Sequence, residues 1–421
     1  MTGFSRAQGA LCVDGVPLAD VAETYGTPCF VYSASWVRTR YAAFEAAFAG
    51  VPHRICYAVK ANSNLSLLQL LARLGAGFDI VSGGELARVL RAGGDPSRVV
   101  FSGVGKSAAE LTDALDAGIG CFNVESAAEL DRLEALAADR SAVAPVSIRV
   151  NPDVDARTHP YISTGLKENK FGVSIDDART LYRRIAASSS LEAVGVDSHI
   201  GSQLTDITPF LDATDRVLAL VDELAAEGIT LRHLDVGGGL GVRYAGEDAP
   251  DLAAYADGLR SRLGERPLEL VFEPGRWLVA EAGCLLTTVE LTKTNEGRRF
   301  LVVDAAMNDL LRPALYEAWH GIETVAAPSP DDAPLADVVG PVCESADFLG
   351  KQRPLAADAG DLLAVLGAGA YGFGMSSNYN SRPRAAEVLV EDGATRLVRR
   401  RETLDELLAG EVDLLAQDAV S

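Results

Sequence analysis

Paired cysteines, long apolar runs and clustered positive charge are all missing from this chain, and each absence removes a class of function. The six cysteines (Cys12, Cys29, Cys56, Cys121, Cys284, Cys343) form no C-x-x-C pair and follow no regular spacing. In a chain of 421 residues that points to reduced thiols in a cytoplasmic protein, not to a disulfide framework or a zinc site. The five histidines contain no H-x-x-x-H pair, so no metal is expected. No uninterrupted apolar stretch approaches the roughly 20 residues of a membrane span. The opening "MTGFSRAQGALCVDG" lacks a basic region followed by an apolar one, so no signal peptide is expected. Lysine and arginine total 38 against 59 aspartate and glutamate, a net charge of -21, which argues against nucleic acid and anionic membranes as partners. Any anionic ligand must then be gripped by local arginines or backbone amides. Neither G-x-x-x-x-G-K-[ST] nor G-x-S-x-G occurs.

What is present is alternation. From residue 28 to about 275, short β-branched runs alternate with alanine- and leucine-rich stretches of helical period. The strand candidates are 55–59, 78–81, 99–103, 121–124, 146–150, 194–200, 234–238 and 268–273. Several intervening helices end in glycine, a helix stop signal. Eight strands each followed by a helix predict an α/β fold of the (β/α)8 TIM-barrel type, with the domain spanning 28–275. After residue 276 the pattern becomes β-rich, with a hairpin around "EDGA", and "ALCVDGVPL" near the start looks the same. We therefore expect a second, all-β domain from 1–27 and 276–421, with "AAPSPDDAPLA" as a loop-like insertion.

Polar residues collect at the predicted strand ends: Lys60, Asp79, Asn123, Arg149, His199, glycines 237–239 and Glu273. In a barrel those ends converge on one face, where active sites are built. Lys60 reads either as a rim lysine reaching solvent or as a desolvated amine able to form a Schiff base. "LDVGGGLGVRY" lets backbone amides approach an anion, a single phosphate better than a nucleotide. In "VFEPGRWLV", Glu273 at the end of an apolar strand needs a cationic or N–H partner. That partner is either Arg276 or the protonated nitrogen of a heterocyclic cofactor. His199 in "VDSHIGSQ" reads either as a satisfied core residue or as part of the site.

Taken in order, "YAVKAN", "FDIVSGGEL", "HPYISTGLKENKFG", "HIGSQ", "GGGLG", "EPGR", "MNDLLRPALY", "CESADFLG" and "GAYGFGMSSNYNSRPRAAEVLV" resemble the diaminopimelate decarboxylase family. Its members are pyridoxal-phosphate enzymes of the alanine racemase/ornithine decarboxylase fold, and the resemblance runs over roughly residues 10–410. It implies pyridoxal 5'-phosphate held by Lys60 as a Schiff base, His199 stacked on its ring and Glu273 on its pyridine nitrogen. It places Ser202, Gly238, Gly239, Gly275, Arg276 and Tyr371 around the phosphate, with Asp79 setting the charge of Lys60. Arg276, Arg312, Tyr316, Glu344 and Tyr371 would grip the amino-acid substrate. The resemblance also implies a homodimer, with Cys343 and Glu344 of the partner subunit completing each site and Cys343, or alternatively Lys60, as proton donor.

The implied reaction is decarboxylation of meso-2,6-diaminopimelate to L-lysine. Three other readings are compatible with parts of the pattern: a decarboxylase of ornithine, lysine or arginine on the same fold, an inactive cofactor-binding regulatory homologue, and a cofactor-free Schiff-base aldolase. Arg312 argues against the first, because a diamino acid without a distal carboxylate has no use for a cation there.

Overall fold

A computed structural model describes residues 3–154, 170–330 and 332–412. These residues divide into two compact units, Ala34–Glu281 and the combination of Met1–Ser33 with Ala282–Ser421.

The first unit is a closed barrel of eight parallel strands: β1 (His53–Ala58), β2 (Gly77–Ile80), β3 (Val99–Phe101), β4 (Cys121–Val124), β5 (Ala144–Arg149), β6 (Leu191–Asp197), β7 (His233–Asp235) and β8 (Glu269–Phe272). β8 pairs with β1 through Leu270 and His53, which closes the ring. Helices run between the strands, several with sequence-encoded starts. Asn64, Ser82, Ser107, Ser126, Ser174 and Asp251 each accept a backbone N–H of the first helical turn.

Strand alternation explains what faces the barrel axis. Phe272 points outward and packs on Phe48 and Phe44 at centroid distances of 4.3 and 5.1 Å. Its neighbour Val271 points inward, into an apolar layer with Cys56, Val100, Cys121 and Val194. Gly195 is glycine because the His233 ring fills the space beside it, 2.0 Å from where a Cβ would stand. The same inward phase carries Asn123 and Glu273 two residues beyond Cys121 and Val271, and Asp197 and Asp235 two residues beyond Gly195 and His233.

In the second unit, strand Gly283–Asn295 is central to a nine-stranded sheet, pairing with Cys29–Ser33, Arg298–Val303 and Leu362–Leu366. A three-stranded sheet is built from Phe4–Ala7, Ala10–Val13 and Val16–Pro17. The expected hairpin is formed by Ala386–Glu391 and Ala394–Arg399. Its Asp392-Gly393 corner has φ of 51° and 75°, the double positive φ that an Asp-Gly turn supplies.

The expected boundaries at 28 and 275 differ from this division at both ends. Strand Cys29–Ser33 pairs with Gly283–Asn295 and Ala386–Glu391, so hydrogen bonding places it in the β unit. The turn Arg276–Val279 stays with the barrel unit. The β unit also contains helices Leu18–Tyr25, Arg312–Tyr316 and Leu404–Leu408. No helix among the described residues is long and apolar enough to cross a membrane.

Candidate active site

Lys60 stands just past β1 rather than on it. The strand ends at Ala58, and Val59–Ala61 form a 3-10 turn that lifts the amine to the rim. The turn is secured by the Tyr57 hydroxyl, which donates to the Asn62 carbonyl at 2.9 Å. Lys60 Nζ donates to Oδ2 of the fully buried Asp79 at 2.8 Å, so two of the predicted residues meet.

Glu273 is buried, and Oε1 accepts from the Ser102 hydroxyl at 3.4 Å. Asn123 Nδ2 in turn donates to that Ser102 oxygen at 3.2 Å. Asp197, Asp235 and Glu273 each bring a carboxylate oxygen within 4.8 Å of the others, a grouping that could hold a metal ion. The expectation of no metal rested on histidine spacing, which is blind to carboxylates arriving from three strands. Burial, followed by the neighbouring Asp235, Asp79 and Asp197, pushes the Glu273 carboxyl well above the ordinary range. Asp235 moves the same way, through burial and then Asp197. Burial raises Asp197 to about 7 despite Arg149 beside it. A cation or N–H group placed beside these three crowded carboxyls would relieve that repulsion.

His199 lies in the loop beyond β6, not on a strand as expected. Burial, then the charges of Arg149 and Lys60, holds its ring pKa well below the usual value, so the imidazole is neutral. The glycine turn packs tightly. A Cβ on Gly238 would stand 2.3 Å from the Glu273 carbonyl oxygen, and one on Gly239 2.5 Å from that of Gly201. Gly239 also has φ of 102°. Glycine is thus required by close backbone approach at both positions. Gly275 likewise leaves room for Ala61 and Ala58. Arg276, buried, donates to the Tyr244 hydroxyl at 2.8 Å and the Ser202 hydroxyl at 3.1 Å, which ties the predicted Ser202 and Arg276 together.

Sequence reasoning singled out Arg149 but overlooked its partner Glu125. Arg149 Nη1 contacts Glu125 Oε1 at 3.2 Å, and Glu125 also accepts from the amides of Gly103 and Gly172, both at 2.9 Å. Of "HPYISTGLKENKFG", residues 159–169 lie outside the described residues.

The remaining predicted residues belong to the β unit. Arg312 is buried, with Nη1 2.8 Å from His320 Nε2, while His320 Nδ1 lies 2.8 Å from the Leu366 carbonyl. A carbonyl only accepts, so Nδ1 carries the proton and Nε2 accepts from Arg312. His320 thereby orients the arginine, a role without any sequence signature. Tyr316 ends the same short helix. Cys343 is exposed, and its amide donates to Asn380 Oδ1 at 3.1 Å. Glu344 accepts from the Tyr379 hydroxyl. Tyr371 holds a φ of 55°, a backbone state that costs a non-glycine residue roughly 1–2 kcal/mol.

Comparison with known proteins adds independent findings. Residues 34–280 match the model of the pyridoxal-dependent decarboxylase family, pyridoxal binding domain. A diaminopimelate decarboxylase of Pseudomonas aeruginosa is 60% identical over 412 residues, covering 98% of this chain and 99% of that one. The crystal structure of diaminopimelate decarboxylase from Helicobacter pylori complexed with L-lysine superposes with a TM-score of 0.90 at 45% identity, covering 96% of this chain and 100% of that one. The M. jannaschii enzyme in co-complex with L-lysine gives 0.93 at 37% identity, covering 99% and 100%.

Proposed function

Because the chain belongs to the diaminopimelate decarboxylase family of pyridoxal-dependent decarboxylases, we propose that it converts meso-2,6-diaminopimelate to L-lysine and CO2, the last step of lysine biosynthesis. The observation that carries this reading is the Lys60 amine held 2.8 Å from a buried carboxylate, on the same rim as Glu273, whose carboxyl is pushed above its ordinary range by burial.

The residues present fit pyridoxal phosphate. Bound there, the cofactor supplies an electron sink for the pair released when the bond to CO2 breaks. Lys60 would hold its aldehyde carbon, with Asp79 keeping the amine aimed at the rim. Glu273 would share its proton with the ring nitrogen; a cationic N–H there offsets the crowding of Asp235, Asp79 and Asp197 that raises its pKa. His199, kept neutral, would pack on the ring without adding positive charge. In a chain of net charge -21, the phosphate needs a local grip. Arg276, Ser202, Gly238, Gly239, Gly275 and Tyr371 would provide it.

On the substrate, Arg312 would bind the distal carboxylate, with Arg276, Tyr316, Tyr371 and Glu344 around the amino-acid ends. The enzyme acts as a homodimer in which Cys343 and Glu344 of the partner subunit complete each site. The Cys343 thiol delivers the proton to the carbon that lost CO2. A cytoplasmic setting keeps that exposed thiol reduced.

The test is Lys60→Ala. The purified wild type should show visible absorbance from bound pyridoxal phosphate that borohydride abolishes, and Lys60→Ala should lack it while keeping the wild-type far-UV spectrum. A colourless wild type that stays colourless with added pyridoxal phosphate contradicts the proposal.

A further inference from the structure

A second cationic site lies in the β unit, in a cleft of about 280 Å³ lined by Pro313, Glu317, Trp319, Phe348, Lys351 and Arg353. Arg353 is 8% exposed. Among the described residues no acceptor bonds its guanidinium and no carboxylate pairs with it; its Nε is buried without a hydrogen-bond partner. Its one contact of note is with the face of Trp319, 4.1 Å from Cζ to the ring centroid. A buried cation lacking an anion is costly, and most native structures avoid it.

Local structure is arranged to hold Arg353 in this position. Between the pairs Val338↔Gly350 and Ala336↔Arg353, strand Phe348–Pro354 contains one residue more than its partner Leu335–Val339. That extra residue is a β-bulge, a device that re-aims side chains. It places Arg353 on the same face as Gly350 instead of the opposite one. Gln352 takes a φ of 52° in the bulge, and its amide is pinned by Asp337 Oδ1 at 2.7 Å. Gly350 yields its own space to the guanidinium, since a Cβ there would lie 2.8 Å from Arg353 Nε and 2.6 Å from Ile322 Cδ1. Bulge, anchoring aspartate, glycine and exposed tryptophan together hold the guanidinium, its Nε buried, against a cleft with room for several heavy atoms.

We infer that this cleft binds a carboxylate, taken up by the fork of Arg353 against the Trp319 face, with Lys351 adding positive charge at the rim. Glu317 on the rim suits an ammonium, so a small amino acid is the free ligand class that matches. A carboxylate side chain of a second copy of this chain offers the same chemistry. None of the residues lining the cleft is among those assigned to decarboxylation, although Pro313 and Glu317 flank Arg312 and Tyr316.

Holoenzyme melts in acetate and in chloride at equal ionic strength test this. The expected result is a saturable rise in Tm of about 3 °C at a hundredfold excess of acetate over its Kd, absent in Arg353→Met. In chloride, Arg353→Met should melt no lower than wild type, because it removes an unpaired buried charge. Should that variant not fold, Trp319→Phe retains Arg353: the acetate-dependent tryptophan fluorescence change should vanish while the Tm rise persists. If wild type ignores acetate but Arg353→Met raises the dimer dissociation constant about tenfold by sedimentation, the carboxylate comes from a second copy. An acetate response equal in wild type and Arg353→Met, or no response together with unchanged self-association, overturns the inference.

Discussion

Replacing Arg312 with methionine removes a buried guanidinium whose orientation depends on His320. His320 Nδ1 must donate to the Leu366 carbonyl, so its Nε2 accepts from Arg312 and fixes the fork. If the remaining N–H groups bind the distal carboxylate, two charge-assisted hydrogen bonds are lost, each worth about 1.5–3 kcal/mol. Together they amount to about 3–6 kcal/mol, a fall of about 10²–10⁴ in kcat/KM for diaminopimelate. The substitution also leaves His320 Nε2 buried without its donor, which costs about 1–3 kcal/mol of stability. The assay is steady-state CO2 release from meso-diaminopimelate, with chemical denaturation run alongside. His320→Ala should reproduce part of the kinetic loss, since the arginine stays but is no longer held. A kcat/KM within about threefold of wild type, from a folded Arg312→Met protein, would refute the assignment of Arg312 to the substrate carboxylate.

Two further outcomes follow from the site. If each site takes Cys343 of the partner subunit, Lys60→Ala and Cys343→Ala are each inactive alone, yet mixing them should restore about a quarter of wild-type activity through heterodimers with one intact site. Two inactive variants that stay inactive after subunit exchange, confirmed by mass, contradict a shared site. The third outcome concerns pH. Asp197 is raised to about 7 in the fold from an unfolded value of 3.8, so its contribution to stability is full below about pH 4 and is lost as pH rises through about 7. In cofactor-free protein, Asp197→Asn should therefore show a smaller fall, or larger gain, in Tm between pH 5 and pH 8 than wild type. Parallel profiles would mean that Asp197 ionises normally.

Much of the barrel is legible in the sequence because each strand is a short β-branched run between helices with polar caps. The strand ends were harder to place. "VGVDSHI" and "LDVGG" read as continuous strands, yet β6 stops at Asp197 and β7 at Asp235. Reading past those points drew attention to His199 and the glycines and away from the two carboxylates that set the proton affinity of Glu273. Lys60, Asp79 and Glu273 were visible because a charged side chain ending an apolar run violates the local pattern. His320 and Arg353 were invisible for the opposite reason. His320 acts through a partner eight residues away, and Arg353 faces inward only because a bulge shifts the phase of its strand. The Leu18–Tyr25 helix was hidden by its β-rich surroundings.

The most direct test of the central claim is CO2 release measured side by side from meso-diaminopimelate, L-lysine and L-ornithine, with and without added pyridoxal phosphate. The account predicts rapid release from diaminopimelate alone, dependent on the cofactor, with L-lysine as product. Faster release from L-lysine or L-ornithine, or turnover of diaminopimelate by protein stripped of the cofactor, would contradict it.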